Sequence, residues 1–141
     1  MLKRIFRGDS TGAVERESVE YTEMYGCIEK NNWDRTLELL EGVNNNGKIG
    51  ATTWYVKRHT NGTVWWKLLP IHNACRRNAP PLVIEALLRA YPESIAIVDT
   101  HGMLPLHWSL WGCASMELIS LLLNADQSGV FIADKYGRLP L

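Results

Sequence analysis

Two segments of the chain contain residue types that bind phosphate and metal ions in nucleotide enzymes. Gly42–Ile49 reads GVNNNGKI, which matches the G-x-x-x-x-G-K pattern of phosphate-binding loops, and Ile95–Asp99 reads IAIVD, an apolar run that ends in a carboxylate. Such a loop requires Ser or Thr after the Lys to hold Mg²⁺, a strand before it and a helix after it. Here Ile49 follows the Lys, and the flanking patterns indicate a helix before it and a hairpin after it. We therefore expect no nucleotide chemistry.

His72 and His107 are the other residues that could bind a metal ion or act as a base. They lie in the segments LPIHNAC and LPLHWSL. In stacked helices these positions would be roughly 10 Å apart, whereas a shared metal lies about 2.1 Å from each imidazole. We expect both histidines to fix a turn by hydrogen bonds. The sequence also lacks an H-E-x-x-H motif, and we expect no enzyme, no cofactor and no small-molecule substrate.

Composition and charge exclude several classes of protein. Fifteen Lys and Arg residues balance 15 Asp and Glu residues in 141 positions, so no overall field attracts nucleic acid. The longest apolar runs are too short to span a membrane. Cys27, Cys75 and Cys113 show no C-x-x-C spacing, which favours reduced thiols in an intracellular protein, cytoplasmic or nuclear. Residues 1–18 are predicted to form a flexible N-terminal arm.

The chain repeats itself with a period of 35 residues. Aligning Leu69–Met103 with Leu104–Arg138 gives 11 identities in 35 positions without a gap, against roughly two expected from average composition. The identical positions include Pro70/Pro105, His72/His107, Ile84/Ile119, Leu87/Leu122, Leu88/Leu123, Asp99/Asp134 and Gly102/Gly137. The aliphatic pairs have i, i+3, i+4 spacing, which is one face of a helix.

Each unit is predicted to contain two helices and a turn. Pro70 and Pro105 suit the first position of a helix, and the second helix ends near Ala90 or Ala125. An extended segment then leads to an Asp-x-x-Gly turn. One such helix pair cannot bury its apolar face alone, so successive units are expected to stack.

The two histidine segments, each followed by an amphipathic helix and an Asp-x-x-Gly turn, resemble the T-P-L-H-x-A signature of ankyrin repeats. The divergent 35-residue ankyrin-like arrays abundant in diatoms are the most similar kind. The resemblance covers Leu69–Leu141, with Leu69 and Leu104 in place of the signature's Thr. It implies an all-α, ankyrin-like α-solenoid of helix pairs with β-hairpin fingers, of which the first is enlarged.

The N-terminal half is predicted to be a modified first unit. Met24–Gly42 reads as two helices, and TTWYVKRHTNGTVWWKLL places two β-rich arms around Asn61-Gly62. This pattern predicts a hairpin with strands near Thr53–His59 and Thr63–Leu68. The repeat domain would then cover residues 19–141, with units at 19–68, 69–103 and 104–138 and a truncated fourth from 139.

Ankyrin-type arrays bind proteins, so the resemblance implies a non-catalytic protein–protein interaction module or scaffold. It places first-helix residues on a concave binding face, beside residues of the finger tips. Arg, Trp and Tyr are frequent energetic anchors of interfaces. The predicted contact residues are Asn73, Arg76, Arg77, Trp108, Trp111, His59, His101 and Tyr136. The competing interpretation is that some of these rings pack within the protein.

Two other functions are compatible with a helical repeat. Pentatricopeptide repeats share the period and bind RNA. They lack the Pro-Leu-His opening, however, and zero net charge gives no electrostatic footprint for RNA, so nucleic acid is not the expected partner. Alternatively, the chain is a regulatory repeat segment of a larger enzyme that continues past Leu141.

The last complete unit carries more leucines than one inner stripe requires. Met116–Leu123 reads MELISLLL, and terminal repeats normally present a polar outer face. From Leu118, Leu121 and Leu122 we expect an uncapped apolar patch of a few hundred Å². Self-association through this C-terminal end is the predicted consequence.

Overall fold

The computed structural model describes residues 3–4, 19–42 and 46–141, and most of them are helical. The strands are β1 (Lys3–Arg4), β2 (Val19–Tyr21), β3 (Tyr55–Arg58) and β4 (Val64–Leu68). The helices are α1 (Glu23–Glu29), α2 (Trp33–Glu41), α3 (Asn46–Thr52), α4 (Pro70–Arg76), α5 (Pro81–Ala90), α6 (Pro105–Trp111) and α7 (Met116–Ala125). Short 3₁₀ turns follow α5 at Pro92–Ala96 and α7 at Gln127–Phe131. Apart from residues 3–4, the predicted N-terminal arm lies outside the described residues.

The predicted all-α solenoid was wrong. The described chain is mostly helical but also contains two small antiparallel sheets, in which β1 pairs with β2 and β3 with β4. A solenoid is not shown. The N-terminal helix pair is followed by an additional helix, α3, and by a long hairpin, whereas the later pairs are followed by short turns. The units therefore do not succeed one another regularly, as the units of a solenoid do.

The three helix pairs nevertheless share one type of break between their helices. The residues in the left-handed conformation at these breaks are Asn31, Asn78 and Cys113, with φ of 55°, 51° and 56°. In each case the next N–H bonds to a carbonyl five residues earlier, at 2.8 to 3.0 Å, as at helix C-termini that end in a left-handed residue. These residues are 47 and 35 positions apart, and the second spacing equals the period of the sequence repeat.

The core lies between the helix pairs. α4 packs against α6, and α5 against α7. The leucine stripe of the repeat supplies the contact, since Leu87 and Leu122 are each 1% exposed. This confirms the prediction that both leucines are core residues. The burial of such side chains is the main stabilising contribution, at about 1.5–3 kcal/mol each.

The predicted composition of the C-terminal apolar patch was wrong. Leu118 and Leu122 are buried, and Leu121 is partly buried, because the inner face of α7 turns these side chains onto α5 and α6. The apolar side chains exposed in this region are Met116, Phe131, Ile132, Leu139 and Leu141. Self-association through this end stays a prediction.

The predicted hairpin is confirmed, with a longer loop than a two-residue turn. β3 and β4 pair from Tyr55↔Leu68 to Arg58↔Val64, with a bulge at Trp65. The His59 N–H donates to the Thr63 carbonyl at 2.9 Å. Gly62 has φ of 87°, whereas Asn61 is not in the left-handed region. The loop is therefore a turn followed by a left-handed glycine, the usual three-residue arrangement.

The hairpin and the two Asp-x-x-Gly turns lie side by side and are joined by backbone hydrogen bonds. The Thr100 N–H donates to the Lys67 carbonyl at 3.2 Å, and the Lys135 N–H donates to the His101 carbonyl at 3.0 Å. Gly102 has φ of +70°, and a Cβ at this position would lie 2.8 Å from the Lys135 nitrogen. Both the backbone conformation and the close approach of the next turn therefore require glycine.

We expect Gly102→Ala to destabilise the protein more than Gly137→Ala. Both glycines have positive φ, 70° and 76°, so each alanine should lose about 1–2 kcal/mol through the left-handed conformation. Only at Gly102 would the new Cβ meet neighbouring atoms. Urea denaturation should therefore show an additional loss of about 1 kcal/mol or more for Gly102→Ala. Equal losses would mean that the second turn moves away from the new Cβ at little cost in free energy.

Candidate interaction surface

His72 and His107 hold the starts of α4 and α6. The Leu69 N–H donates to Nδ1 of His72 at 2.9 Å, and Nε2 of His72 lies 2.8 Å from the Ile97 carbonyl oxygen. His107 makes the equivalent pair of bonds in the next unit, at 3.0 and 3.3 Å. Because Nδ1 accepts, the ring proton belongs on Nε2, which donates to the carbonyl. Burial lowers the pKa of His72 to about 4. Its neutral ring thus ties the helix start to the loop after the next helix.

Asp99 connects the first turn to two tryptophans. Its Oδ1 accepts the N–H groups of His101 at 2.8 Å and Met103 at 3.0 Å. Its Oδ2 accepts the indole N–H of Trp108 at 2.8 Å and that of Trp66 at 3.4 Å. The carboxylate is buried, and all its bonds point into the protein. Asp99 therefore fixes the turn and the orientation of both rings.

Asp134 fixes the second turn in a related way. Its Oδ1 accepts the N–H groups of Tyr136 and Arg138 at 2.9 and 3.0 Å, and its Oδ2 accepts from the Arg138 side chain at 2.8 Å. Burial alone would raise the pKa of Asp134, but the hydrogen bonds from Arg138 and Tyr136 outweigh it and lower this pKa to about 2. An arginine thus takes the place that the tryptophans have at Asp99.

Three tryptophans, Trp66, Trp108 and Trp111, form a row from the hairpin to the end of α6, here called the aromatic row. The ring centroids of Trp66 and Trp108 are 5.5 Å apart, and Trp111 stands edge-to-face on Trp108 at 5.5 Å. Trp111 is 66% exposed, whereas Trp108 is 7% exposed. The Asp99 hydrogen bond immobilises Trp108. The exposed indole of Trp111 therefore rests on a fixed support.

The two arginines at the end of α4 share one carboxylate of α1. Nη2 of Arg76 and Nη2 of Arg77 lie 3.0 Å from the two carboxylate oxygens of Glu29. The Arg76 guanidinium also lies 5.1 Å from the ring centroid of Trp66, within cation–π distance. Burial raises the pKa of Glu29, but hydrogen bonds from Arg77 and Asn73 and the two guanidinium charges lower it overall. These contacts hold Arg76 against the aromatic row.

Two of the predicted contact residues are buried and contact other side chains of the protein. Asn73 is 0% and Trp108 7% exposed. Asn73 donates to Glu29 at 2.8 Å and accepts from Arg76 at 2.8 Å. Trp108 is covered by its two neighbours in the aromatic row. Both side chains support the surface from within.

The other predicted contact residues are at least partly exposed, but they do not form one cluster. Trp111 belongs to the aromatic row, and Arg76 and His101 adjoin it; the His101 ring stands edge-on to Trp66 at 6.1 Å. Arg77 is partly exposed beside Glu29. His59 and Tyr136 lie on the hairpin loop and the second turn, and both are exposed.

Sequence reasoning missed two residues that organise this surface, Trp66 and Glu29. Trp66 bridges Arg76 and Trp108, and Glu29 binds Asn73 and both arginines. Both residues lie before Leu69, outside the 35-residue repeat, so internal alignment could not reveal them. The one signal was period-two alternation, which predicts that Trp65 and Trp66 face opposite sides.

In the part of the chain that the structure describes, no group of three or more His, Cys, Asp or Glu side chains could hold a metal ion. None of the helices there is long and apolar enough to cross a membrane. In the segment GVNNNGKI, residues 43–45 lie outside the described residues, and α3 begins at Asn46.

The comparisons with known proteins gave no relative. No protein-family model matches the chain, and no curated protein matches its sequence. The resemblance to ankyrin repeats therefore rests on the sequence motifs alone.

Proposed function

We propose that this chain is a non-catalytic protein–protein interaction module that binds its partner through Trp111 and through Arg76, which contacts Trp66 at the other end of the aromatic row. The observation that carries the proposal is that Trp111 is 66% exposed and rests on the ring of Trp108. The buried carboxylate of Asp99 holds that ring in place. Tryptophan and arginine are the residue types most enriched in energetic hot spots. The resemblance of the LPIHNAC and LPLHWSL motifs to a protein-binding repeat supports the same class of function.

The preorganisation of this surface favours strong binding. A partner that covers Trp111 gains apolar burial, while little rotamer freedom is lost in the supporting residues Trp108 and Trp66, which are already fixed. Arg76 is likewise oriented by Asn73 and Glu29 before any partner arrives. Binding therefore requires little ordering of the module itself.

Trp111→Ala tests the proposal. We expect the variant to fold normally, because the side chain is largely exposed, and to bind the partner at least about 30-fold more weakly, as is usual for loss of a tryptophan hot spot. The immobilised wild-type chain captures proteins from an extract of cells that make it, and the recovered partner is then titrated by calorimetry.

The matched control is Phe131→Ala, which removes an 81% exposed aromatic side chain from a different element. It should retain the partner at wild-type affinity. If every captured protein binds wild type and Trp111→Ala equally well, Trp111 is not an interface anchor and the proposal fails.

A further inference from the structure

The hairpin and the two Asp-x-x-Gly turns form one continuous edge, here called the loop edge. It comprises Tyr55–Leu68, Asp99–Gly102 and Asp134–Arg138. The hydrogen bonds from Thr100 to Lys67 and from Lys135 to His101 join these three segments in order. Their side chains therefore belong to one surface rather than to three separate loops.

Positive charge is concentrated on the loop edge, although the whole chain is neutral. Its charged residues are Lys57, Arg58, Lys67, Lys135 and Arg138, against Asp99 and Asp134. Both carboxylates are buried and occupied by internal hydrogen bonds. The exposed His59 and the partly exposed His101 also lie here. The loop edge thus presents cations outward and keeps its anions inside.

Two lysines mark the ends of this charged surface. Lys57 on β3 and Lys135 on the second turn are both exposed, and neither forms an ion pair within the described part of the chain. The Lys57 ammonium lies 4.5 Å from the ring centroid of Trp65, and that of Lys135 lies 5.0 Å from Tyr136. Each end therefore offers a cation beside an exposed aromatic ring.

The placement of the cations favours carboxylates over nucleic acid. Proteins that bind single-stranded nucleic acid stack bases on free aromatic faces. Tyr136 has both Lys135 and Arg138 5.0 Å from its centroid, and Trp65 has the Lys57 ammonium at 4.5 Å and the His59 ring at 5.6 Å. Each ring thus already contacts two side chains of the protein, whereas the two lysine ammonium groups remain available to anions.

We propose that the loop edge binds an extended acidic segment of the partner protein, with carboxylates on Lys57 and Lys135 and apolar side chains against the parts of Trp65 and Tyr136 that stay exposed. The inference rests on the proposed function, because it specifies the chemistry of that protein partner. From β3 to the second turn there are three hydrogen-bonded steps of roughly 5 Å, and hence a span of roughly 15 Å. About five extended residues would cover it.

Charge reversal at both ends tests the inference on the full chain. The probe is a fluorescein-labelled peptide of Glu, Leu and Gly, about twelve residues long, and binding is followed by fluorescence anisotropy. We expect the double variant Lys57→Glu/Lys135→Glu to bind about tenfold more weakly than wild type, and added salt to weaken the wild-type complex. The matched control is Lys48→Glu/Arg89→Glu, which makes the same change in net charge at exposed positions of α3 and α5; it should stay within about twofold of wild type.

Three results would overturn the inference: no binding of the acidic peptide, equal weakening by both double variants, or tighter binding of an oligouridine RNA of equal charge. Binding of the captured partner to the two kinds of variant distinguishes failure of this inference from failure of the proposed function. If the partner depends on Trp111 but binds the Lys57→Glu/Lys135→Glu variant normally, the proposed function stands and the acidic segment is wrong. If the acidic peptide binds as expected but no captured protein depends on Trp111, the assignment of Trp111 fails alone.

Discussion

Replacement of Leu122 by alanine lowers the free energy of unfolding by about 2–5 kcal/mol, the range observed for buried leucines. The side chain is 1% exposed and lies in the same apolar cluster as Leu87 and Leu118. α7 packs against α5 at this point, so truncation leaves a cavity between two helices that cannot close without moving one of them. Urea denaturation followed by circular dichroism measures the loss.

The control for this prediction is Leu139→Ala. Leu139 is 50% exposed, so its truncation should change stability by no more than about 0.5 kcal/mol. A Leu122→Ala loss in that same range would mean that α7 does not pack on α5 through this stripe. Since domains of this size are stable by only about 5–15 kcal/mol, the expected loss should be plain in the denaturation midpoint.

The helix pairs were predictable because their signals are local and occur twice. Proline at the first helical position, histidine two residues later and the Asp-x-x-Gly turn recur at 35 residues, and each acts within its own unit. The bounds predicted for the second helices, ending near Ala90 and Ala125, agree with the structure. The fold class built on this pattern was wrong, because the part of the chain before Leu69 does not follow it.

Helix α3 shows why the N-terminal half resisted prediction. Its sequence, NGKIGAT, contains two glycines and an asparagine, which disfavour helix. The glycines lie where other elements come close: a Cβ at Gly47 would overlap backbone atoms of Leu39 and Leu40, and one at Gly50 would lie 2.7 Å from Met24. Packing against α2 and α1 therefore determines this helix, and local propensity does not reveal such contacts.

The repeat predicts which face of the helices carries the candidate contact residues, but not which of these residues are exposed. The repeat equates Asn73 with Trp108, and both do lie on corresponding sides of α4 and α6. Burial of the two side chains depends on Glu29 and Trp66, which approach from α1 and β4. An internal repeat contains no information on such partners, so it predicted exposure for two side chains that are covered.

Acidification from pH 7 to pH 4 should remove about 3 kcal/mol of stability through His72 alone. Burial lowers the pKa of this imidazole from its ordinary value of 6.5 to about 4, although the bond to the Ile97 carbonyl and the charge of Asp99 act in the opposite direction. Between pH 4 and pH 6.5 the imidazole is protonated in the unfolded chain and neutral in the folded protein. The stability contribution is therefore complete above pH 6.5 and is lost as the pH falls towards 4.

Geometry explains why the folded protein refuses this proton. Nδ1 already accepts the Leu69 N–H at 2.9 Å. Protonation of Nδ1 would therefore point its N–H at the Leu69 N–H and break this bond at the start of α4. His72→Gln removes the titratable group. The variant should be less stable at pH 7, because one amide cannot reproduce both imidazole bonds, but its stability should fall much less between pH 7 and pH 4.

Leu122→Ala serves as the control for this experiment, since it also lowers stability at pH 7 but leaves His72 in place. Its stability should therefore fall with pH as steeply as that of the wild type. Urea denaturation of the three proteins at half-unit pH steps separates loss of stability from loss of pH dependence. Measurements should stop near pH 4, because Asp134, with a folded pKa of about 2, adds its own acid-dependent loss below that point. If His72→Gln loses as much stability as the wild type over this range, another group takes up the proton and His72 does not govern the acid response.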